Sequence, residues 1–369
     1  MNKPFLSIFA ILAFSIAFFS CKRKSIEPVV PIKPSVMLAW ASVSAGVNYS
    51  IGIKSDGTLW AWGFNNNGQL GNGNFTSQYS PEKIGIATNW KATFAGFDQS
   101  FGIKKDGTLW AWGVNTDGKL GDGTTTDKQT PTPIGNASNW AEISPGYRHT
   151  LGLKTDGTLW AWGNNSESEL GNGNKINELS PIQIGLATDW LSISAGVDYS
   201  LALKKDGTLW AWGNNIDGKL GDGTETSRTL PMQVGVDTHW AKITASDNYT
   251  LAIKTDGTLW AWGYNCCGRL ADASIYHLLS PIQLGTASNW VKITTATGFG
   301  LRADGSIWEW THTSTGQFGT ATDWASISAG SVHNFALKPD GTLWAWGYNF
   351  NGRLGDGTLT ERTSPVLIK

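Results

Sequence analysis

The sequence predicts an all-β protein, a seven-bladed β-propeller, from three observations. All 21 tryptophans fall into seven copies of one pattern, a Trp followed about 20 residues later by Trp-x-Trp. The signature Asp-Gly-Thr-Leu-Trp-Ala-Trp-Gly recurs every 50 residues from Asp56 to Asp256, in altered form at Asp304 and intact again at Asp340. Its Asp-Gly pairs stand between apolar segments, which is typical of strands joined by tight turns. Four short strands in about 50 residues describe one propeller blade, and the two ends of such a chain should meet.

The first residues, 1–20, predict a lipoprotein signal peptide. A lysine precedes an apolar run from Phe5 to Phe19, and Cys21 follows two residues later. A charged start, an apolar run of about 15 residues and a small residue at its end form a secretory signal, and the run is short for a membrane span. The cysteine resembles the lipobox of bacterial lipoproteins, with Phe18 where that motif usually has Leu. The resemblance implies lipid on Cys21; an uncleaved anchor is the alternative.

The rest of the chain divides into two parts. Residues 21–38 are predicted as the lipid anchor and a proline-rich tether, because three prolines keep the segment extended. Residues 39–369 are predicted as a single seven-bladed propeller. This organisation predicts a protein of the bacterial cell envelope, at the outer membrane or the cell surface.

Charge and cysteine content exclude some classes of function. The formal net charge is −1 and only 15% of residues are charged, so the chain lacks the positive field that nucleic-acid binding requires. Beyond Cys21 the chain has two cysteines, Cys266 and Cys267, so disulfides do not staple the propeller. These two could form a vicinal disulfide or bind a soft metal, but no further ligand cluster accompanies them, which favours ordinary thiols.

The fourth copy illustrates how one blade is expected to fold. We predict Asp206-Gly207 as the two-residue loop of a type I′ hairpin. In that register one sheet face carries four large side chains, those of Leu201, Leu203, Trp210 and Trp212. The other face carries small residues such as Ala202 and Ala211, and Pro231 opens the outer strand. The bulky face of one blade would then pack on the small face of the next, which makes the tryptophans core residues rather than stacking platforms for a ligand.

The full repeat resembles that of the regulator of chromosome condensation (RCC1) family. It reads Ala-Gly-x-x-x-Ser-Leu-Ala-Leu-Lys-x-Asp-Gly-Thr-Leu-Trp-Ala-Trp-Gly, then Gly-x-Leu-Gly-Asp-Gly and Pro-x-x-Ile-Gly, and covers about nine tenths of the chain. The resemblance implies a seven-bladed propeller that works through protein contacts and is not an enzyme. The founding member of the family acts on the GTPase Ran and on chromatin, whereas the signal sequence and near-zero charge place this chain elsewhere. Secreted bacterial relatives include inhibitors that cap β-lactamases with one propeller face.

Copies five and six depart from the repeat. The sixth runs from Trp310 almost directly to Trp324, which predicts a truncated sixth blade without its long loop and outer strand. Glu309 replaces the Ala of Trp-Ala-Trp and is predicted on the small face, opposite Gly300, where a carboxylate needs a partner or water. A notch in one rim of the ring should result.

These departures suggest a protein-binding surface. The candidate residues are Tyr264, Arg269, Tyr276, His277 and His312. Aromatic and Arg side chains are favoured anchors of protein interfaces, although drift in a degenerate copy is the alternative. His149 and His333 occupy the repeat position of Tyr49 and Tyr199, which marks them as position fillers rather than catalysts.

The sequence thus predicts a lipid-anchored envelope or surface protein that binds an unidentified protein through one loop face. We expect a monomer without catalytic residues, cofactor or metal. The alternative is a lectin-like glycan binder, which would need exposed aromatics beyond the 21 tryptophans of the core. An enzyme is a third option, with Glu309 and His312 as its nucleus.

Overall fold

The chain folds into seven antiparallel sheets of four strands, and each sheet takes its strands in chain order. The computed structural model describes residue 1 and residues 38–265, 276–294, 298–310 and 315–369. Leu38–Lys369 form one compact unit. The seven-bladed all-β propeller predicted from the sequence is therefore confirmed.

The strands are as follows. Blades 1 and 2 consist of β1 (Trp40–Ala45), β2 (Tyr49–Lys54), β3 (Leu59–Gly63), β4 (Gln78–Lys83), β5 (Trp90–Ala95), β6 (Gln99–Lys104), β7 (Leu109–Gly113) and β8 (Lys128–Pro133). Blades 3 and 4 consist of β9 (Trp140–Pro145), β10 (His149–Lys154), β11 (Leu159–Gly163), β12 (Glu178–Gln183), β13 (Trp190–Ala195), β14 (Tyr199–Lys204), β15 (Leu209–Gly213) and β16 (Arg228–Gln233).

The last three blades complete the ring. Blade 5 consists of β17 (Trp240–Ala245), β18 (Tyr249–Lys254), β19 (Leu259–Tyr264) and β20 (His277–Gln283). Blades 6 and 7 consist of β21 (Trp290–Ile293), β22 (Phe299–Arg302), β23 (Ile307–Trp310), β24 (Thr315–Gln317), β25 (Ser326–Ala329), β26 (His333–Leu337), β27 (Leu343–Gly347) and β28 (Arg362–Ile368). The first strands of successive blades contact one another and are the innermost. The fourth strands are outermost, and Pro231 lies within β16 rather than at its start.

The predicted register of the central hairpin is wrong by one residue. In blade 4, Leu203 pairs with Leu209 and Ala202 pairs with Trp210. The loop therefore has three residues, Lys205 to Gly207, instead of two. Because side chains alternate across a strand, a shift of one residue moves every side chain of one strand to the other face.

Asp206 and Gly207 explain the longer loop. Gly207 has a φ of +79°, the left-handed conformation that closes a three-residue hairpin loop. Asp206 Oδ1 accepts hydrogen bonds from the backbone N–H and the hydroxyl of Thr208, at 3.0 and 2.7 Å. The Thr208 hydroxyl in turn accepts the Trp210 indole N–H at 2.9 Å. The Asp-Gly-Thr-Leu-Trp signature is thus a local hydrogen-bonded unit.

Each blade consequently has an aliphatic face and an indole face, rather than a bulky and a small one. In blade 1 the aliphatic face includes Ile51 and Leu59, which pack against Trp90 and Trp112 on the indole face of blade 2. In blade 2 a glycine at the centre of the indole face makes room for the rings, since a Cβ on Gly102 would lie 2.5 Å from the Trp90 ring. Fourteen of the 21 tryptophans are buried, as predicted for core residues.

The other seven tryptophans are half-buried, and each has a cationic side chain over its ring. Lys104 Nζ lies 3.5 Å from the ring centroid of Trp110, and the Arg302 guanidinium lies equally close to Trp308. These cation–π contacts cover the outer edge of the core with side chains whose charged ends remain hydrated.

The two ends of the chain meet between blades 7 and 1. Trp62 of blade 1 packs edge-on against Phe335 of blade 7, with ring centroids 5.6 Å apart. The Trp40 backbone N–H donates to the Gly341 carbonyl at 2.9 Å. Neither blade borrows a strand from the other, so side-chain packing and a few hydrogen bonds close the ring.

Two predictions for blade 6 are wrong in detail. The blade is shortened, but it keeps a fourth strand of three residues, β24. Glu309 pairs with Phe299, not with Gly300, which pairs with Trp308. The one-residue register shift explains the second error: Glu309 takes the position that Ala211 occupies on the aliphatic face of blade 4, and it is half-buried there.

Candidate functional site

Two kinds of loop open on the same face of the propeller, which we call the loop face. They are the turns between the first and second strands of each blade and the longer loops between the third and fourth. A hydrogen bond from Phe64 N–H to the Asn48 carbonyl, at 3.0 Å, joins the two kinds in blade 1. The Asp-Gly hairpins lie on the opposite face, which we call the hairpin face.

A funnel with a volume of about 470 Å³ opens at the centre of the loop face. The turns between first and second strands line it, and their tips differ from blade to blade. Blades 1 to 4 contribute an apolar wall consisting of Val47, Phe97, Tyr147 and Val197. The Phe97 and Tyr147 rings meet edge-on at 4.5 Å, and 38% of the Phe97 surface is exposed. Apolar rings that remain exposed beside a cavity are suited to binding a partner.

The opposite wall of the funnel is polar and includes one carboxylate, that of Asp247. It includes Ser246, Asp247 and Asn248 of blade 5 and Ser331 of blade 7. Burial raises the pKa of the nearby Asp198, with the charges of Glu167 and Asp247 adding to the effect and that of Lys219 opposing it. The funnel therefore has an apolar wall and a polar wall that includes the Asp247 carboxylate.

Buried hydrogen bonds between blades hold the funnel in shape. The Tyr49 hydroxyl donates to the Gln99 carbonyl at 2.6 Å, and the Tyr199 hydroxyl donates to the Tyr249 carbonyl at 2.7 Å. His149 occupies the same position and lies 2.9 Å from the Ser200 hydroxyl, Nε2 to Oγ. Burial lowers the pKa of His149 to about 3, so this histidine is neutral and bridges two blades, as predicted for a position filler.

The structure brings together three of the five predicted site residues. Tyr264, Tyr276 and His277 form an aromatic cluster in blade 5, with ring centroids 5.6 to 5.9 Å apart. Tyr264 also lines the funnel, and 59% of the Tyr276 surface is exposed. The other two, Arg269 and His312, lie outside the described residues, as do Cys21, Cys266 and Cys267.

His277 connects the aromatic cluster to blade 4. Its Nδ1 lies 2.8 Å from Glu225 Oε1, and its Nε2 lies 3.1 Å from Asp217 Oδ1. Both carboxylates belong to the long loop of blade 4 on the loop face. The imidazole therefore fixes the orientation of the neighbouring loops beside Tyr264.

The apolar wall of the funnel is the feature that the sequence analysis missed. The predicted site residues come from copies that break the repeat, whereas the turn tips vary among the regular copies as well. The available signal was the position after each Ala-Gly or Pro-Gly pair, which is apolar or aromatic in blades 1 to 4 (Val47, Phe97, Tyr147 and Val197) and is Ser331 in blade 7. Within the described ranges, no group of three or more His, Cys, Asp or Glu side chains is placed to hold a metal ion. The same residues include no helix long and apolar enough to cross a membrane.

A closed ring of seven tryptophan-rich blades defines a repeat β-propeller. The chain belongs to the RCC1-like domain family, whose model matches residues 19–242. Models of the regulator of chromosome condensation (RCC1) repeat also match residues 240–269, 324–353 and 340–369. The family expected from the repeat is therefore confirmed.

Solved structures share this fold at low sequence identity. Human WBSCR16 is 18% identical with a TM-score of 0.62, over 90% of this chain and 82% of that chain. Prp20p from Saccharomyces cerevisiae is 21% identical with a TM-score of 0.60, over 89% and 77% of the two chains. The ectodomain of the receptor kinase CR4 from Physcomitrella patens is 16% identical with a TM-score of 0.51, over 84% and 74%.

Proposed function

We propose that this chain is a lipid-anchored envelope protein that binds another protein through the loop face. The main observation behind the proposal is the funnel, where the exposed Phe97 ring and the half-buried Tyr147 ring stand opposite Asp247. Such a site favours a segment with an apolar side chain for the apolar wall and a Lys or Arg for the Asp247 carboxylate. The aromatic cluster of Tyr264 and Tyr276 extends the same surface outward.

Similar propellers supply a precedent. Prp20p is described with its binding properties to Gsp1p and histones, and yeast RCC1 (Prp20) has been solved bound to Kap60. Those partners belong to the yeast protein. For this chain the signal sequence suggests a partner in the bacterial envelope or outside the cell.

We propose binding rather than catalysis. The enzymatic alternative rests on Glu309 and His312, and Glu309 takes the position of the buried Ala on an inter-blade face, where it is half-buried. The funnel is formed by the tips of turns from different blades, an arrangement that suits an extended contact with a protein.

The test of the funnel is a double variant, Phe97→Ser with Tyr147→Ser. We expect it to reduce crosslinking to the partner in native cells by roughly tenfold, because two central aromatic anchors are removed. The matched control is Ile86→Ser with Leu186→Ser, which removes two side chains that are 95% and 93% exposed in the connections between blades. Quantitative mass spectrometry of crosslinked complexes compares the variants. Equal capture by the wild-type chain and the funnel variant would show that the partner binds elsewhere.

The lipid anchor is tested separately with Cys21→Ala. Labelled palmitate should enter the wild-type protein and not the variant, because the Cys21 thiol is the group that would carry the lipid. A Cys266→Ala variant is the control and should be labelled normally. Labelling of the Cys21→Ala protein would contradict the anchor without affecting the proposal for the funnel.

A glycan-binding role is the second candidate, and exposed aromatic rings favour it. Tyr348 and Phe350, in the long loop of blade 7, are 58% and 72% exposed and lie outside the tryptophan core. Aromatic rings of this kind can stack on sugars. A glycan array on which the wild-type protein binds and a Tyr348→Ala, Phe350→Ala variant does not would support this candidate.

A further inference from the structure

The innermost strands, which surround the axis of the ring, carry three charged side chains at a position where the other blades have small residues. The third residue of each innermost strand, counted from its Trp, is Ser42, Ala92, Glu142, Ser192, Lys242, Lys292 and Ser326 in blades 1 to 7. Four blades therefore have Ser or Ala, whereas blades 3, 5 and 6 have one acidic and two basic residues. The repeat alone gives no structural reason for these charges.

Hydrogen bonds between innermost strands show where this position points. In blades 3 and 4 the residue two positions after it on the strand bonds to the next blade. The Ser144 hydroxyl accepts the Ala195 N–H at 2.9 Å, and the Ser194 hydroxyl accepts the Ala245 N–H at 2.8 Å. Residues two apart on a strand share a face, so the third residue also points toward the next innermost strand and the axis. Lys292 follows this rule, since its Nζ donates to the Ser326 hydroxyl of blade 7 at 3.1 Å.

The three charges interact across the channel. Burial raises the pKa of Glu142 to about 7, while the charge of Lys242 opposes that rise. Burial lowers the pKa of Lys292, and the positive charge of Lys242 lowers it further. Lys242 and Lys292 are nevertheless solvent-accessible. Side chains that are surrounded by protein and still reached by solvent line a channel open to small solutes.

These three side chains have few partners within the protein. Within the described part of the chain, neither Glu142 nor Lys242 takes part in an ion pair or a side-chain hydrogen bond, and the one hydrogen bond of the Lys292 ammonium is to Ser326. Two ammonium groups that repel each other favour an anion between them, because the anion offsets the repulsion. Near neutral pH Glu142 supplies only part of the offsetting negative charge, because its pKa is about 7.

We propose that the channel binds a small oxyanion, a phosphate or a carboxylate, between Lys242 and Lys292, with the Ser326 hydroxyl as a further donor. Ammonium groups and hydroxyls are the donors that such anions require. Glu142 opposes binding by its negative charge and tunes the affinity. The site lies inside the ring of blades and is independent of the proposed function of the loop face.

The experiment is isothermal titration calorimetry of the full chain with inorganic phosphate and, separately, with acetate. Sodium chloride holds the ionic strength constant. We expect saturable binding of at least one of them. The Lys242→Gln, Lys292→Gln variant should weaken it on the order of tenfold or more, because two charge-assisted hydrogen bonds are lost. Glu142→Gln should strengthen it by roughly threefold or more, because a repulsive charge is removed.

The lysine variant should weaken anion binding and Glu142→Gln should strengthen it. This pair of opposite effects distinguishes an anion site from a charge cluster with a structural role alone. Lys205→Gln, an exposed lysine in a hairpin loop, is the matched control and should leave affinity unchanged. Tryptophan fluorescence and thermal unfolding establish that each variant is folded. Binding of phosphate alone assigns a phosphate site, and binding of acetate as well assigns a general oxyanion site. No saturable binding of either anion by the wild-type chain, or undiminished binding by the double lysine variant, overturns the proposal.

Discussion

Replacing Trp62 by Ala is expected to lower the free energy of unfolding by about 3 to 5 kcal/mol, the range for removing a large buried aromatic side chain. Trp62 is fully buried where blade 1 meets blade 7. Its ring contacts Phe335 at 5.6 Å and Trp40 at 5.4 Å, and its indole N–H donates to the Arg353 carbonyl at 3.0 Å. The variant would lose these contacts and leave a buried carbonyl with one fewer donor.

Trp62 lies at the closure of the ring, so its loss should also affect closure, which the loss of other core tryptophans should not. Consecutive blades are joined by the chain, whereas blades 7 and 1 are joined by packing and hydrogen bonds alone. The matched variant is Trp162→Ala, at the same repeat position between blades 2 and 3, with its indole N–H on the Lys119 carbonyl at 2.9 Å. Both variants should lose similar stability, but only Trp62→Ala should open the ring.

Denaturant unfolding and hydrogen exchange read by mass spectrometry distinguish these effects. In Trp62→Ala, exchange should rise along the facing strands of blades 7 and 1, and in Trp162→Ala it should rise in blades 2 and 3. Trp60→Ala is a milder control, because Trp60 is half-buried beneath Lys54. A Trp62→Ala protein as stable as Trp60→Ala would show that the closing contacts contribute little.

The hairpin register shows how far sequence reasoning reaches in this protein. The spacing of tryptophans predicts seven blades, and the structure has seven. The Asp-Gly pair, however, fits both a two-residue loop and a three-residue loop closed by a left-handed glycine. The choice depends on Thr208, which Asp206 binds through both its backbone N–H and its hydroxyl. Because the loop has three residues instead of two, the side chains of one strand lie on the face opposite to the predicted one. The same shift places Glu309 opposite Phe299 instead of Gly300.

The candidate sites show a similar limit. Tyr264, Tyr276 and His277 were predicted because one copy departs from the repeat, and they do come together. Glu142 and Lys242 stand in the same strand position of copies 3 and 5, and in the sequence they look like exposed residues of an edge strand. Only closure of the ring brings positions that are about 100 residues apart together on one axis.

Glu169 occupies a buried position in the long loop of blade 3. The equivalent residue of blade 1 is Gln69, and the two side chains do the same task. Gln69 Oε1 accepts the Asn67 N–H at 3.0 Å, and Glu169 Oε2 accepts the Glu167 N–H at 2.8 Å. Burial raises the pKa of Glu169 from 4.5 to about 7, so the folded protein holds this carboxyl protonated at a pH where the unfolded chain would ionise it.

A raised pKa of an acid fixes the sign of the pH effect. Between about pH 4.5 and pH 7 the folded state binds more protons at Glu169 than the unfolded state, so this residue makes the fold less stable as pH rises. Glu169→Gln removes that dependence. As pH rises from about 5 to about 8, the unfolding free energy of the variant minus that of the wild-type chain should increase by about 2 to 3 kcal/mol.

The reverse exchange, Gln69→Glu, provides the mirror control, because it places a carboxyl in the equivalent buried position of blade 1. It should lose stability relative to the wild-type chain as pH rises over the same range, while the two proteins remain similar at the acidic end. Urea unfolding at a series of pH values measures both variants, and comparison with the wild-type chain cancels the titration of all other groups. Parallel stability curves for the wild-type chain and Glu169→Gln would mean that the Glu169 carboxyl is hydrated in the folded protein, and that the long loop of blade 3 opens far enough to admit water.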